Sequence, residues 1–118
     1  YLFIDVGNDK NLETLLFDKE SGIATHLKEG SILINHSPRD IRQAMTIKKW
    51  LADKKQVSYI DAPIHPDVGG GRTNLVKKSL PVGGLKEDFE NILPLMKFYC
   101  FELMYIGDRV TVLDTEFA

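Results

Sequence analysis

Apolar residues along the chain fall in short runs, and the stretches between them carry helical spacing. Tyr1 to Val6, YLFIDV, is apolar except for Asp5 and predicts a mostly buried strand of a parallel sheet. Gly7-Asn8-Asp9 is turn chemistry, and Asn8 or Asp9 is placed to cap a helix whose stripe is Leu12, Leu15 and Leu16. Ser21-Gly22 breaks that helix, and a short helical turn from Ile23 to Lys28 stops at Gly30. Ser31 to Asn35, SILIN, predicts the second strand. Ser37 as N-cap, Pro38 at the first helical position and Asp40 three residues after the cap predict a helix to about Lys54. Its core face would be Ile41, Ala44, Met45, Ile47 and Leu51.

Val57 to Ile60 predicts a third buried strand, ended by Asp61 and followed by a polar loop that holds Gly69-Gly70-Gly71. Leu80-Pro81-Val82 predicts a poorer strand, which Pro81 confines to an edge. After Gly83-Gly84, Lys86 to Phe98 predicts a helix with Phe89, Ile92, Leu93 and Met96 inward and a kink near Asn91 from Pro94. Tyr99 to Ile106 predicts a fifth strand, and Arg109 to Leu113 is a candidate for another. Strands alternating with helices at this spacing predict βαβ crossovers and an α/β fold with a mainly parallel sheet covered on both faces. Ligands of such sheets bind at the carboxyl ends of the strands. Here those ends carry Val6-Gly7-Asn8, His36-Ser37 and Asp61 to Asp67.

Composition narrows this picture. A chain of 118 residues, 43% hydrophobic and 27% charged, fits one globular domain with a single core. A net charge of −2 argues against nucleic acid or an anionic membrane as partner, and no apolar run is long enough to span a bilayer. The lone Cys100 sits in the apolar run KFYCFEL, reads as a buried structural thiol and favours a reducing compartment, cytoplasmic or mitochondrial. The chain opens on Tyr1 inside an apolar run, so the expectation is one domain, 1–118, that is a fragment, a processed product or an incomplete chain.

Several of these segments together resemble the β-hydroxyacid dehydrogenase family, which includes 3-hydroxyisobutyrate dehydrogenase and 6-phosphogluconate dehydrogenase. Asp61-Ala62-Pro63-Ile64 and the later Gly69-Gly70 echo its D-A-P-V-S-G-G-x-x-G-A pattern. Val82-Gly83-Gly84, followed by Glu87-Asp88-Phe89, echoes its V-G-G and acidic helix, and GIATHLKEGSILINHS its helix, glycine turn and strand. The resemblance runs from Tyr1 to about Asp108 and covers the second half of the nucleotide-binding domain. It implies a partial Rossmann-like fold, NAD or NADP as cofactor, and a small hydroxyacid as substrate of the complete enzyme, with a homo-oligomer as one arrangement. The cofactor would meet Val6, Gly7, Asn11 and Ser37; the substrate would meet Asp61, Gly69 and Gly70. In the complete enzyme, hydride would pass from a 3-hydroxyacid to the nicotinamide, with a lysine as general acid or base. No catalytic residue and no metal ligand is assigned in this chain.

The sequence also departs from the family pattern. It contains no G-x-G-x-x-G fingerprint, His65-Pro66-Asp67 replaces the substrate-binding Ser-Gly-Gly, and nothing matches the lysine motif. These departures motivate a second reading, a non-catalytic binding or assembly module that kept the fold. A third reading is a metal-dependent hydrolase-like site built from His36, Asp61, His65 and Asp67 at neighbouring strand ends. For Ser37, helix capping alone is the plainer expectation; for Asn11 it is a solvated place in a first turn.

Overall fold

The computed structural model describes residues 1–6, 9–37, 39–64, 79–99 and 102–110. Its first sheet has three parallel strands, β1 (Leu2–Ile4), β2 (Ile32–Asn35) and β3 (Ser58–Asp61), in the order β1-β2-β3. Leu2 lies opposite Leu33 and Ile4 opposite Asn35, while Leu33 lies opposite Tyr59 and Asn35 opposite Asp61. Every residue of β2 is buried, because this central strand has a layer on each side.

The two faces of β2 divide the core. Leu33 joins Ile4, Val57 and Tyr59 under α1 (Asp9–Phe17) and α2 (Ile41–Trp50), which contribute Leu12, Leu16 and Ile47. Ile32 and Ile34 point the other way, toward Ile92 and Met96 of α3 (Lys86–Met96). Successive crossovers of one hand, advancing in one direction, require α1 and α2 to share a face. Leu33 and Ile34 are both fully buried, and removing such side chains from water contributes about 1.5–3 kcal/mol each.

The last two strands, β4 (Ser79–Val82) and β5 (Glu102–Tyr105), pair in parallel as a second sheet. An antiparallel bridge links the end of β3 to the residue after β4, with Asp61 and Gly83 each donating an amide to the other's carbonyl at 2.8 Å. The chain therefore reverses direction between β3 and β4. Pro81 lies on β4, which pairs with β5 alone among the named strands, as its missing donor requires. Val82-Gly83-Gly84 has a packing cause: a Cβ on Gly83 would lie 1.8 Å from the Arg109 carbonyl oxygen. Gly84 takes φ +150°, and a Cβ there would lie 2.5 Å from Ile60 Cδ1.

Four expectations are corrected. Asp40, not Ser37, is the N-cap of α2: its side chain accepts from the Gln43 amide at 2.7 Å, and the helix begins at Ile41. Ile41 and Met45 are exposed at 38% and 56%, whereas Ala44, Ile47 and Leu51 are buried. Met45 sits about 100° round the helix from Ala44, which carries it off the buried stripe, and Ile41 overhangs the helix end. The helix ends earlier than predicted, at Trp50, and a π-type turn over Leu51–Lys55 follows, closed by Gln56 at φ +51°. Of the candidate strand Arg109 to Leu113, Arg109 and Val110 lie in no strand and the rest falls outside the described residues.

Candidate functional site

The carboxyl ends of β1, β2 and β3 lie side by side, and a hydrogen bond ties the first two: the Val6 amide donates to Ser37 Oγ at 2.8 Å. Ser37 is fully buried, and its own amide donates to Asn35 Oδ1 at 2.9 Å. Because Ser37 Oγ accepts from Val6, the hydroxyl keeps its own hydrogen to donate. Asn35 ends β2 on the α1–α2 face, where Asn35 Nδ2 donates to the Tyr59 hydroxyl at 3.0 Å. Tyr59 OH donates in turn to Asp61 Oδ1 at 2.8 Å. Burial, and then the charge of Asp61, push the Tyr59 phenol well above its usual range, so it stays a hydroxyl.

Asp61 is fully buried, and its charge is met by Arg39. Arg39 Nε donates to Oδ1 at 3.1 Å and Nη2 donates to Oδ2, a bidentate pair. Both side chains are 1% exposed. Removing one partner of such a pair costs about 3–5 kcal/mol, since the other charge is left buried and alone.

His36 faces the α3 side of the same edge. Its Nδ1 lies 2.7 Å from the Ala62 carbonyl oxygen, which only accepts, so Nδ1 carries the hydrogen. Nε2 of the neutral ring then accepts from the Tyr99 hydroxyl at 2.8 Å. Phe3 stacks on the imidazole at 6.3 Å. Burial lowers the His36 pKa from the usual imidazole value, against the Ala62 hydrogen bond and the charge of Asp5.

The structure brings together Val6, Ser37 and Asp61 of the residues named from sequence. Asn11 is exposed on the first turn of α1. Gly7, Gly69, Gly70, His65 and Asp67 lie outside the described residues. Among the described residues no group of three or more His, Cys, Asp or Glu side chains is placed to hold a metal ion, and both His36 nitrogens and the Asp61 carboxylate are engaged by protein groups. Nor is any described helix long and apolar enough to cross a membrane. An open groove of about 400 Å³ runs between α1 and the start of α2, lined by Glu13, Phe17, Asp40 and Gln43 among others.

Sequence reasoning missed Asn35, Arg39, Tyr59 and Tyr99. One signal was available for the first: SILIN and SYID both end an apolar strand on a polar residue, and the register sets Asn35 opposite Asp61. Nothing in the spacing marked Arg39 or Tyr99.

Residues 1–107 match the family model of the NAD binding domain of 6-phosphogluconate dehydrogenase. The chain belongs to that family. Solved structures place the same fold in longer proteins. Psf3 in complex with NADP+ and 2-OPP superposes with a TM-score of 0.76 at 21% identity, over 92% of this chain and 37% of that one. The 3-hydroxyisobutyrate dehydrogenase of Salmonella typhimurium gives 0.69 at 23% identity, over 92% and 36%. An imine reductase of Myxococcus stipitatus in complex with NADP+ gives 0.65 at 14% identity, over 90% and 35%. This NAD-binding-family chain thus spans little more than a third of each of those proteins. No curated protein matches it.

The family's cofactor can be set against the donors on this edge. The Ser37 hydroxyl is an uncharged donor, suited to an amide carbonyl such as that of a nicotinamide, while the Val6 and Ser37 amides are spent on Ser37 Oγ and Asn35 Oδ1. The carboxylate of Asp61, which would repel an anionic dinucleotide, is neutralised by Arg39. The sequence holds no G-x-G-x-x-G to cradle a pyrophosphate. The residues present fit the nicotinamide end of the cofactor.

Proposed function

We propose that the chain supplies the nicotinamide side of the NAD(P)-binding domain of a hydroxyacid dehydrogenase-like oxidoreductase. The family match over residues 1–107 carries this reading, because it includes the whole edge on which Val6 and Ser37 sit. When bound, the cofactor would accept hydride from the carbinol carbon of a small 3-hydroxyacid. Residues of this chain would then bind and orient: Ser37 by its hydroxyl, Val6 by its position beneath it. Asn11, Gly7, Gly69 and Gly70 belong to the same proposed site by sequence resemblance. The proposal extends to a homo-oligomer and to a reducing compartment, the latter supported by the single Cys100.

Titration with NADPH and NADH, followed by nucleotide fluorescence, tests the reading. Weak binding is expected, because no glycine fingerprint cradles the pyrophosphate, and Ser37→Ala should weaken it further, about tenfold, about 1.4 kcal/mol. No change in fluorescence at millimolar nucleotide would defeat it. A non-catalytic module is the second reading, favoured by His65-Pro66-Asp67 in place of Ser-Gly-Gly. Nucleotide binding without turnover of any 3-hydroxyacid in the full-length protein is its expected signature.

A further inference from the structure

The polar groups on the α1–α2 face of the edge form one continuous chain, whose links take their direction from the Asp61 carboxylate at one end and from backbone N–H donors at the other. Arg39 holds Asp61 as a buried carboxylate, which can only accept. The Tyr59 hydroxyl must therefore point its hydrogen at Asp61 Oδ1, which leaves its oxygen lone pairs toward Asn35. Facing lone pairs, the Asn35 amide must turn its NH₂ toward Tyr59. Its carbonyl oxygen is then turned to the Ser37 amide, 2.9 Å away. Ser37, with its backbone pinned, places Oγ 2.8 Å from the Val6 amide. The opposite amide orientation at Asn35 would set NH₂ against the Ser37 N–H, donor against donor.

We propose that Asp61 and Tyr59 are positioning residues: the buried charge of Asp61, relayed through Tyr59 and Asn35, sets the orientation of Ser37 at the cofactor edge. This rests on the dehydrogenase reading only for the identity of the ligand that Ser37 meets. It also gives Asp61 a role unlike direct substrate contact, since Arg39 and Tyr59 engage both its oxygens. The arrangement suits a site that must present an uncharged donor. A charged side chain at the edge itself would be hydrated; a charge two relays behind it sets direction and stays dry.

Tyr59→Phe is the decisive variant. It removes one oxygen, keeps the ring in the core and leaves the Arg39–Asp61 pair whole. Amide hydrogen exchange, read residue by residue by NMR, reports the consequence. Exchange at the Ser37 and Val6 amides is expected to accelerate about tenfold, while Leu33 and Ile34 in the middle of β2 keep wild-type rates. Tyr105→Phe is the control. It removes a different hydroxyl, one bonded to the Gly84 carbonyl at 2.7 Å, and should leave Ser37 and Val6 unchanged. Asp61→Asn supplies a second test where it folds, with the same two amides exposed. NADPH titration of the same variants should show about tenfold weaker binding for Tyr59→Phe and none of this for Tyr105→Phe. Unchanged exchange at Ser37 overturns the proposal. So does acceleration spread evenly over β2, since the hydroxyl would then only be holding the sheet. If the wild-type protein itself ignores NADPH, the dehydrogenase reading fails, and the exchange pattern still decides whether Asp61 orients Ser37.

Discussion

His36 donates through Nδ1 to a backbone carbonyl and accepts through Nε2 from Tyr99, so its neutral ring is fully satisfied. Burial holds its pKa below the usual 6.5. Between the folded and unfolded values the unfolded chain binds more protons, so stability rises with pH across that interval. Its contribution is complete above the unfolded pKa and is lost as pH falls toward the folded one. Urea midpoints measured from pH 7.5 down to 5 should therefore decline. In His36→Asn, which keeps a donor for the Ala62 carbonyl, the decline should be shallower; equal slopes would exclude His36 as its source. Little of this was legible in the sequence. His36 stood beside Ser37 as a strand-end residue, but Tyr99 is far along the chain and comes to it only because α3 ends at the same edge. Ser37 itself was marked correctly as a strand-end residue. Its expected role as a helix cap failed because the helix begins three residues later than expected, and Asp40, next to Ile41, accepts from the Gln43 amide.

At the scale of elements, the turn after β4 is the most constrained. Gly83 exchanges two hydrogen bonds with Asp61 and leaves no room for a side chain against the Arg109 carbonyl. Gly83→Ala should cost about 3 kcal/mol, because the bridge or the Arg109 segment must move to admit a methyl group. Chemical denaturation measures this, and a loss under about 0.5 kcal/mol, the range of ordinary surface changes, would show that the close approach is not maintained in solution. The strands and helices themselves were readable from the apolar runs and their spacing, since Leu12 and Leu16, and Ile92 and Met96, occupy the buried faces that their spacing gave them. The reversal between β3 and β4 was not. An apolar strand of four residues carries no mark of whether it runs with its neighbour or against it.

For the molecule as a whole, the first sheet carries a core cluster of the described residues on each side, with Leu33 in one and Ile34 in the other. Ile47→Val and Ile92→Val, one on each side, should each cost about 0.5–1.5 kcal/mol. Because they belong to separate core clusters, their effects should add to within about 0.5 kcal/mol in the double variant. Urea unfolding followed by circular dichroism checks the sum, and a single transition with unchanged slope would show the sheet coupling both layers. The strand reversal has one more effect, on the local electric field. β4 runs against β3, so α3 climbs back and delivers its C-terminal end, at Tyr99, to the edge where α2 begins at Asp40. Partial positive charge from one helix and partial negative charge from the other therefore border this edge on opposite faces of the sheet. A polar molecule arriving there enters a gradient running across the sheet's thickness, which favours one of its two facing directions before any side chain is touched.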